Sequence, residues 1–155
     1  MPTPKSVSKI TKDHGKVVVS YESAVDKCSY YLFELTRAAL RDVGKFVAKT
    51  FKAKYYAAFR RQSGNVGRNT KYKVYSGKDT QYPRVELSTV DDGFYGLFQE
   101  IGTKHQPRMG FLRDSVENNV DTIREIQSKY LSAIDDGDAS VENLINESEY
   151  EGAAE

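Results

Sequence analysis

The chain has 155 residues, enough for one proper core and too few for two comfortable ones, with 39% hydrophobic and 29% charged residues. No apolar run approaches the roughly 18 residues that cross a bilayer, and the opening Met-Pro-Thr-Pro-Lys-Ser has no signal-peptide core, so a soluble protein made in the cytoplasm, without membrane contact, is expected. The formal charge of +1 conceals a split: eleven basic residues from Lys45 to Arg84 stand against Asp79 alone, and twelve acidic residues from Asp114 to Glu155 against Arg124 and Lys129, about +10 and −10 respectively. A chain divided in this way favours head-to-tail contact between copies and repels other orientations.

Val7–Thr11 and Lys16–Tyr21 flank Asp-His-Gly, which predicts a hairpin over about 7–21 with Gly15 at the turn, the run Val17-Val18-Val19 arguing against helix. Ser23, three residues before Asp26, reads as a helix cap. Leu32, Leu35, Ala39, Val43 and Phe46 then recur at helical spacing, predicting a long helix over about 24–59, with Gly44 marking a bend or a close helix crossing. Cys28, the lone cysteine, is expected to be a buried small hydrophobe. Gln62–Asn69 reads as a loop, and it lacks the Lys-Ser/Thr ending of a nucleotide-binding loop.

Tyr72–Tyr75 and Arg84–Val90 read as strands, and Asp91-Asp92-Gly93 turns the chain into a further aromatic segment. There, Phe94, Phe98 and Glu100 alternate with Tyr95, Leu97, Gln99 and Ile101, which predicts a third strand and an antiparallel meander over about 71–102. Gly102 is expected to end that strand at φ > 0. Pro107 blocks further pairing, and Gly110 precedes a helix over about 111–134 whose apolar stripe is Leu112, Val116, Val120, Ile123, Tyr130 and Ile134. Gly137 caps it. The fold expected is therefore α+β, an N-terminal hairpin followed by a long helix and a closing helix packed on a small antiparallel sheet, as a single domain over 1–137. Residues 138–155 read as a flexible acidic tail with one apolar cluster, Val141, Leu144 and Ile145.

Catalytic, metal and cofactor chemistry finds little support. His14 and His105 sit in separate turns without ligand spacing, no Gly-x-Ser-x-Gly elbow occurs, and Cys28 has no oriented base. Glu100 is the most noticeable acid, and the role expected of it is structural: accepting backbone N–H groups beside Gly102 or pairing with an arginine. No enzyme and no cofactor is expected.

An aromatic strand running into Glu100-Ile101-Gly102-Thr103, a short loop with Lys104, Pro107 and Arg108, and Phe111-Leu112 opening the last helix resembles the head-tail joining, or tail-completion, proteins of long-tailed bacteriophages. The matching positions are Tyr95, Glu100, Gly102, Thr103, Phe111 and Leu112, with Phe98 and Pro107 beside them; Gly110 departs from the family pattern, which carries proline there. The resemblance implies a structural virion protein of the neck. It would form a homo-oligomeric ring, of six copies as in phage tails, around a DNA channel, contacting the connector or adaptor above and the tail tube or terminator below. A second reading comes from the residues themselves. Aromatic and basic residues interleave around Lys52, Lys54, Arg60, Arg61, Arg68, Lys71 and Lys73, as in a non-specific nucleic-acid-binding module acting over 45–84.

Overall fold

The computed structural model describes residues 10–14, 17–21, 24–59, 65–76 and 82–152. The architecture is α+β, mostly helical, with two antiparallel hairpins. The first pairs β1 (Ile10–His14) with β2 (Val17–Tyr21), Ile10 opposite Tyr21 and His14 opposite Val17. The hairpin is where the sequence put it, although Val7–Lys9 and Gly15 lie outside the described residues.

Everything else is arranged along α1 (Val25–Ala58), 34 residues and therefore about 50 Å long. Its N-cap is Ala24, which offers no side-chain acceptor, and Asp26 in the first turn supplies the favourable charge at that end. Cys28 is exposed, contrary to the expectation of burial. The N-terminal half of α1 buries Tyr31, Leu35, Ala38 and Ala39 against two later helices, α5 (Val120–Asp136) and α6 (Asp138–Gly152), which contribute Tyr130, Ala133 and Val141. Two buried tyrosines end in hydrogen bonds across this core: Tyr31 Oη donates to Glu142 Oε1 at 2.8 Å, and Tyr130 Oη donates to Asp42 Oδ2.

The C-terminal half of α1 buries Val43, Val47, Ala48 and Phe51. Against it lies the second hairpin, β3 (Thr70–Tyr75) with β4 (Arg84–Thr89), in the register Tyr72 to Leu87 and Val74 to Val85. Gly44 makes this approach possible: a Cβ there would sit 2.6 Å from the Tyr72 ring and 3.0 Å from Val85 Cγ2. The close crossing expected at Gly44 is therefore made by a strand pair rather than by a helix. The loop expected over Gln62–Asn69 contains one helical turn, α2 (Asn65–Arg68), and residues 60–64 lie outside the described residues.

Three expectations are corrected. Tyr95–Ile101 is a helix, α3, entered through a 3-10 turn at Asp91–Gly93, so among the described residues this sheet has two strands and no meander forms. Phe94, Leu97, Phe98 and Ile101 also satisfy i, i+3, i+4, i+7, and over eight residues alternation cannot be told from that period. The closing helix is broken into α4 (Phe111–Glu117) and α5. Asn119 stops α4 by bonding Nδ2 to Ser115 O at 3.0 Å while its own carbonyl accepts from Ile123 N at 2.9 Å to start α5. The third correction is the tail. Residues 138–152 form α6, whose Val141 is 3% exposed and whose Leu144 and Ile145 pack on the same core.

Candidate functional site

The residues Glu100 to Leu112 form one hydrogen-bonded unit joining α3 to α4. Gly110, the N-cap of α4, has no side chain to satisfy the first amides, and Glu100, ten residues upstream, takes that part: Oε2 accepts from Leu112 N and Oε1 from Arg113 N, each at 2.9 Å. A carboxylate bound to two amides at a positive helix end is a charge-assisted clamp. Gly102 N donates to Phe98 O at 2.8 Å to close α3, and Met109 N donates to Gln99 O at 2.9 Å to bring the loop back. Between them, Thr103 and Gln106 form a bridge: Thr103 N donates to Gln106 O at 2.8 Å, and Thr103 Oγ1 accepts from Gln106 N at 3.1 Å. Gly110 sits at φ +63°, which proline cannot adopt, so this loop requires a residue other than proline there.

Glu100 accepts backbone amides as expected, but they are those of the α4 start and not of the turn beside Gly102, and Glu100 itself lies on a helix and not on a strand. Glu100→Ala leaves two helix-end amides without their acceptor and is expected to cost about 1–3 kcal/mol. Urea unfolding checks this, and an unchanged midpoint would show that water replaces the carboxylate.

Phe111 and Leu112 anchor the far side. Phe111 meets Tyr55 and Phe59 edge-on, with ring centroids at 6.2 Å and 6.1 Å. Leu112 lines a cleft of about 290 Å³ with Phe51, Leu87, Phe94 and Leu97. Beyond it, Arg113 Nε donates to Glu117 Oε1 at 2.6 Å, and this hydrogen bond, then the charge of Glu117, raises the Arg113 pKa above its ordinary value.

Along α3 only the face carrying Gly96 is buried, against Val66 and Thr89. The rest is open: Tyr95 is 60%, Leu97 56% and Ile101 65% exposed, with Phe94 and Phe98 also exposed. A second apolar patch, Leu32, Leu131 and Ile134, flanks a groove of about 190 Å³ between α1 and α5. Counted along α1 from Leu32 to Phe51, the two lie about 30 Å apart. Both were missed in the sequence, the first because its helical period was taken for alternation.

The basic residues named from the sequence divide. Lys52, Arg68 and Lys71 line one groove between α1 and β3, together with Lys45 and Lys49. Lys54 instead donates to Asp114 O at 2.9 Å, and Lys73 lies 4.9 Å from the centre of the Tyr75 ring. Arg60 and Arg61 lie outside the described residues. Lys45 and Lys49 were legible as partners of Lys52, since i, i+4, i+7 is one helix face.

Among the described residues no group of three or more His, Cys, Asp and Glu comes together to hold a metal, and no helix is long and apolar enough to cross a membrane. No family model matches the chain, and neither a curated protein nor a solved structure matches it.

Proposed function

We propose that the chain is a structural virion protein of a tailed-phage neck, assembling into a closed ring of six copies at the head-tail interface, with the connector or adaptor on one side, the tail tube or terminator on the other, and DNA passing through without sequence recognition. Its work is assembly and not catalysis. The observation that carries the reading is the pair of unlike apolar patches. The α3 patch adjoins a loop bearing Lys104 and Arg108, whereas the α1–α5 patch adjoins Asp135 and Asp136. Unlike patches of opposite surrounding charge join head to tail, and head-to-tail contacts close into rings when the rotation allows. The motif from Tyr95 to Leu112, which resembles the phage proteins, builds the first patch.

Ile101→Glu and Leu131→Glu each spoil one patch. Each variant alone is expected to remain monomeric in sedimentation velocity, while an equimolar mixture of the two gives dimers and nothing larger, because only one intact patch of each kind remains. Wild-type protein is expected to give rings in negative-stain images, alone or with its neck partners. A wild type that stays monomeric at low salt in both settings defeats the reading.

A further inference from the structure

We propose that the groove between α1 and β3 is a docking site for the phosphate backbone of duplex DNA, bound without regard to sequence. The proposal deepens the ring reading, on which it rests for the presence of DNA, by naming the face that meets it. Lys45, Lys49 and Lys52 stand at i, i+4, i+7 on one rigid helix, so their Cα atoms rise about 6 Å and then about 4.5 Å along the axis. Arg68 of α2 and Lys71 of β3 line the same groove, and among the described residues no carboxylate does. Lys49, Lys52, Arg68 and Lys71 have no ion-pair partner among the described residues. The groove opens to about 1000 Å³, far more than one phosphate or carboxylate fills.

The form of nucleic acid follows from where the aromatic rings went. Binding of single strands needs open rings on which bases stack. Here the interleaved aromatic residues are already engaged: Phe51 is buried, Tyr55 and Phe59 pack with Phe111, and Tyr72, which lines the groove, has its ring packed over Gly44 of α1. What remains at the groove is a line of point charges, suited to a backbone and not to bases. A protein helix, such as the acidic α6 of a second copy, fits less well. An interface of that kind is anchored by buried apolar side chains, and the apolar cluster of α6 is already spent on its own core.

The test is fluorescence anisotropy with full-length protein and labelled duplexes of two unrelated sequences, over a range of salt. Equal affinity for both duplexes is expected, with a log–log salt slope of about −3 to −4 for four phosphate contacts. Lys49→Glu with Lys52→Glu is expected to weaken binding at least about tenfold and, as Lys49→Gln with Lys52→Gln, to lower the slope by about 2. A matched reversal outside the groove, Lys104→Glu with Arg124→Glu, is expected to leave affinity within about twofold. Ile101→Glu is expected to bind duplex as a monomer, so a failed ring leaves this result standing. Three outcomes overturn the proposal: oligo-dT binding tighter than duplex, groove reversals that leave duplex affinity unchanged, or reversals that abolish self-association alone, which would give the groove to a neighbour's acidic helices.

Discussion

Gly102→Val is expected to unfold the α3–α4 unit while His105→Ala, three residues on, leaves stability within about 0.5 kcal/mol. Gly102 holds φ +84° and ψ +163°, a region closed to residues with a side chain, unlike the left-handed helical region that asparagine and aspartate tolerate. A Cβ there would stand 2.9 Å from Arg108 N and 3.1 Å from Arg108 Cα, both backbone atoms that cannot swing aside. Strain of about 1–3 kcal/mol from the dihedrals and a further term from that contact put the loss at about 3 kcal/mol, or roughly 6–12 °C in melting temperature. Asn and Ala at the same position are expected to fail as well. His105 is exposed, and its backbone N–H lies 3.4 Å from Thr103 Oγ1, a contact that alanine keeps. Equal melting of the two variants would mean that the loop can re-form around a side chain.

The need for glycine at 102 was legible because it depends on the backbone alone, whether a strand or a helix comes before it. At Gly44 the absence of a side chain announced a close approach, but the partner expected was a helix and the one found is the β3–β4 hairpin. The type of the segment before Gly102 was not legible, since eight residues fit both periods and the choice is made by packing of Gly96 on Val66 and Thr89. Glu100 shows the gain from structure most clearly. Its carboxylate was expected to accept backbone amides nearby, and those amides belong to a helix start more than ten residues later that has no cap of its own. The break at Asn119 was written in the Asn118-Asn119 pair but outweighed by an apolar stripe running through it. In the folded chain that stripe is displaced: Ile126, Tyr130 and Ala133 turn to the core, and Val120 and Ile134 are left exposed. As for the basic segment, spacing on α1 was readable while the wall supplied by β3 was not, because a strand's partner face is set by tertiary contact.

Removing residues 138–155 is expected to destabilise the fold itself. From the sequence the opposite was expected, a domain over 1–137 that stands without its flexible tail, because the closing apolar stripe ends at Ile134. In the structure Val141 is 3% exposed among Tyr31, Leu35, Ala38 and Tyr130, with Leu144 and Ile145 packed beside it. Burying one such side chain is worth about 1.5–3 kcal/mol, and Val141 with the partly buried Leu144 and Ile145 about 4 kcal/mol after allowance for residual structure in the unfolded chain. The truncation also strips Tyr31 Oη of its acceptor on Glu142 and opens the α1 face beneath. A fall of roughly 8–16 °C in melting temperature is expected. Salt separates this from a loss of charge: the contacts are apolar, so raising the ionic strength of full-length protein should not reproduce the fall, whereas it would if the acidic side chains of α6 were what mattered. Val141→Asp is the sharper variant, because it keeps the length and adds to the acidity while placing an unpaired carboxylate in the core. Should Val141→Asp match the truncation, α6 is a structural helix of this fold; a truncated protein that melts with the full-length chain would return residues 138–155 to the solvated tail that their composition describes.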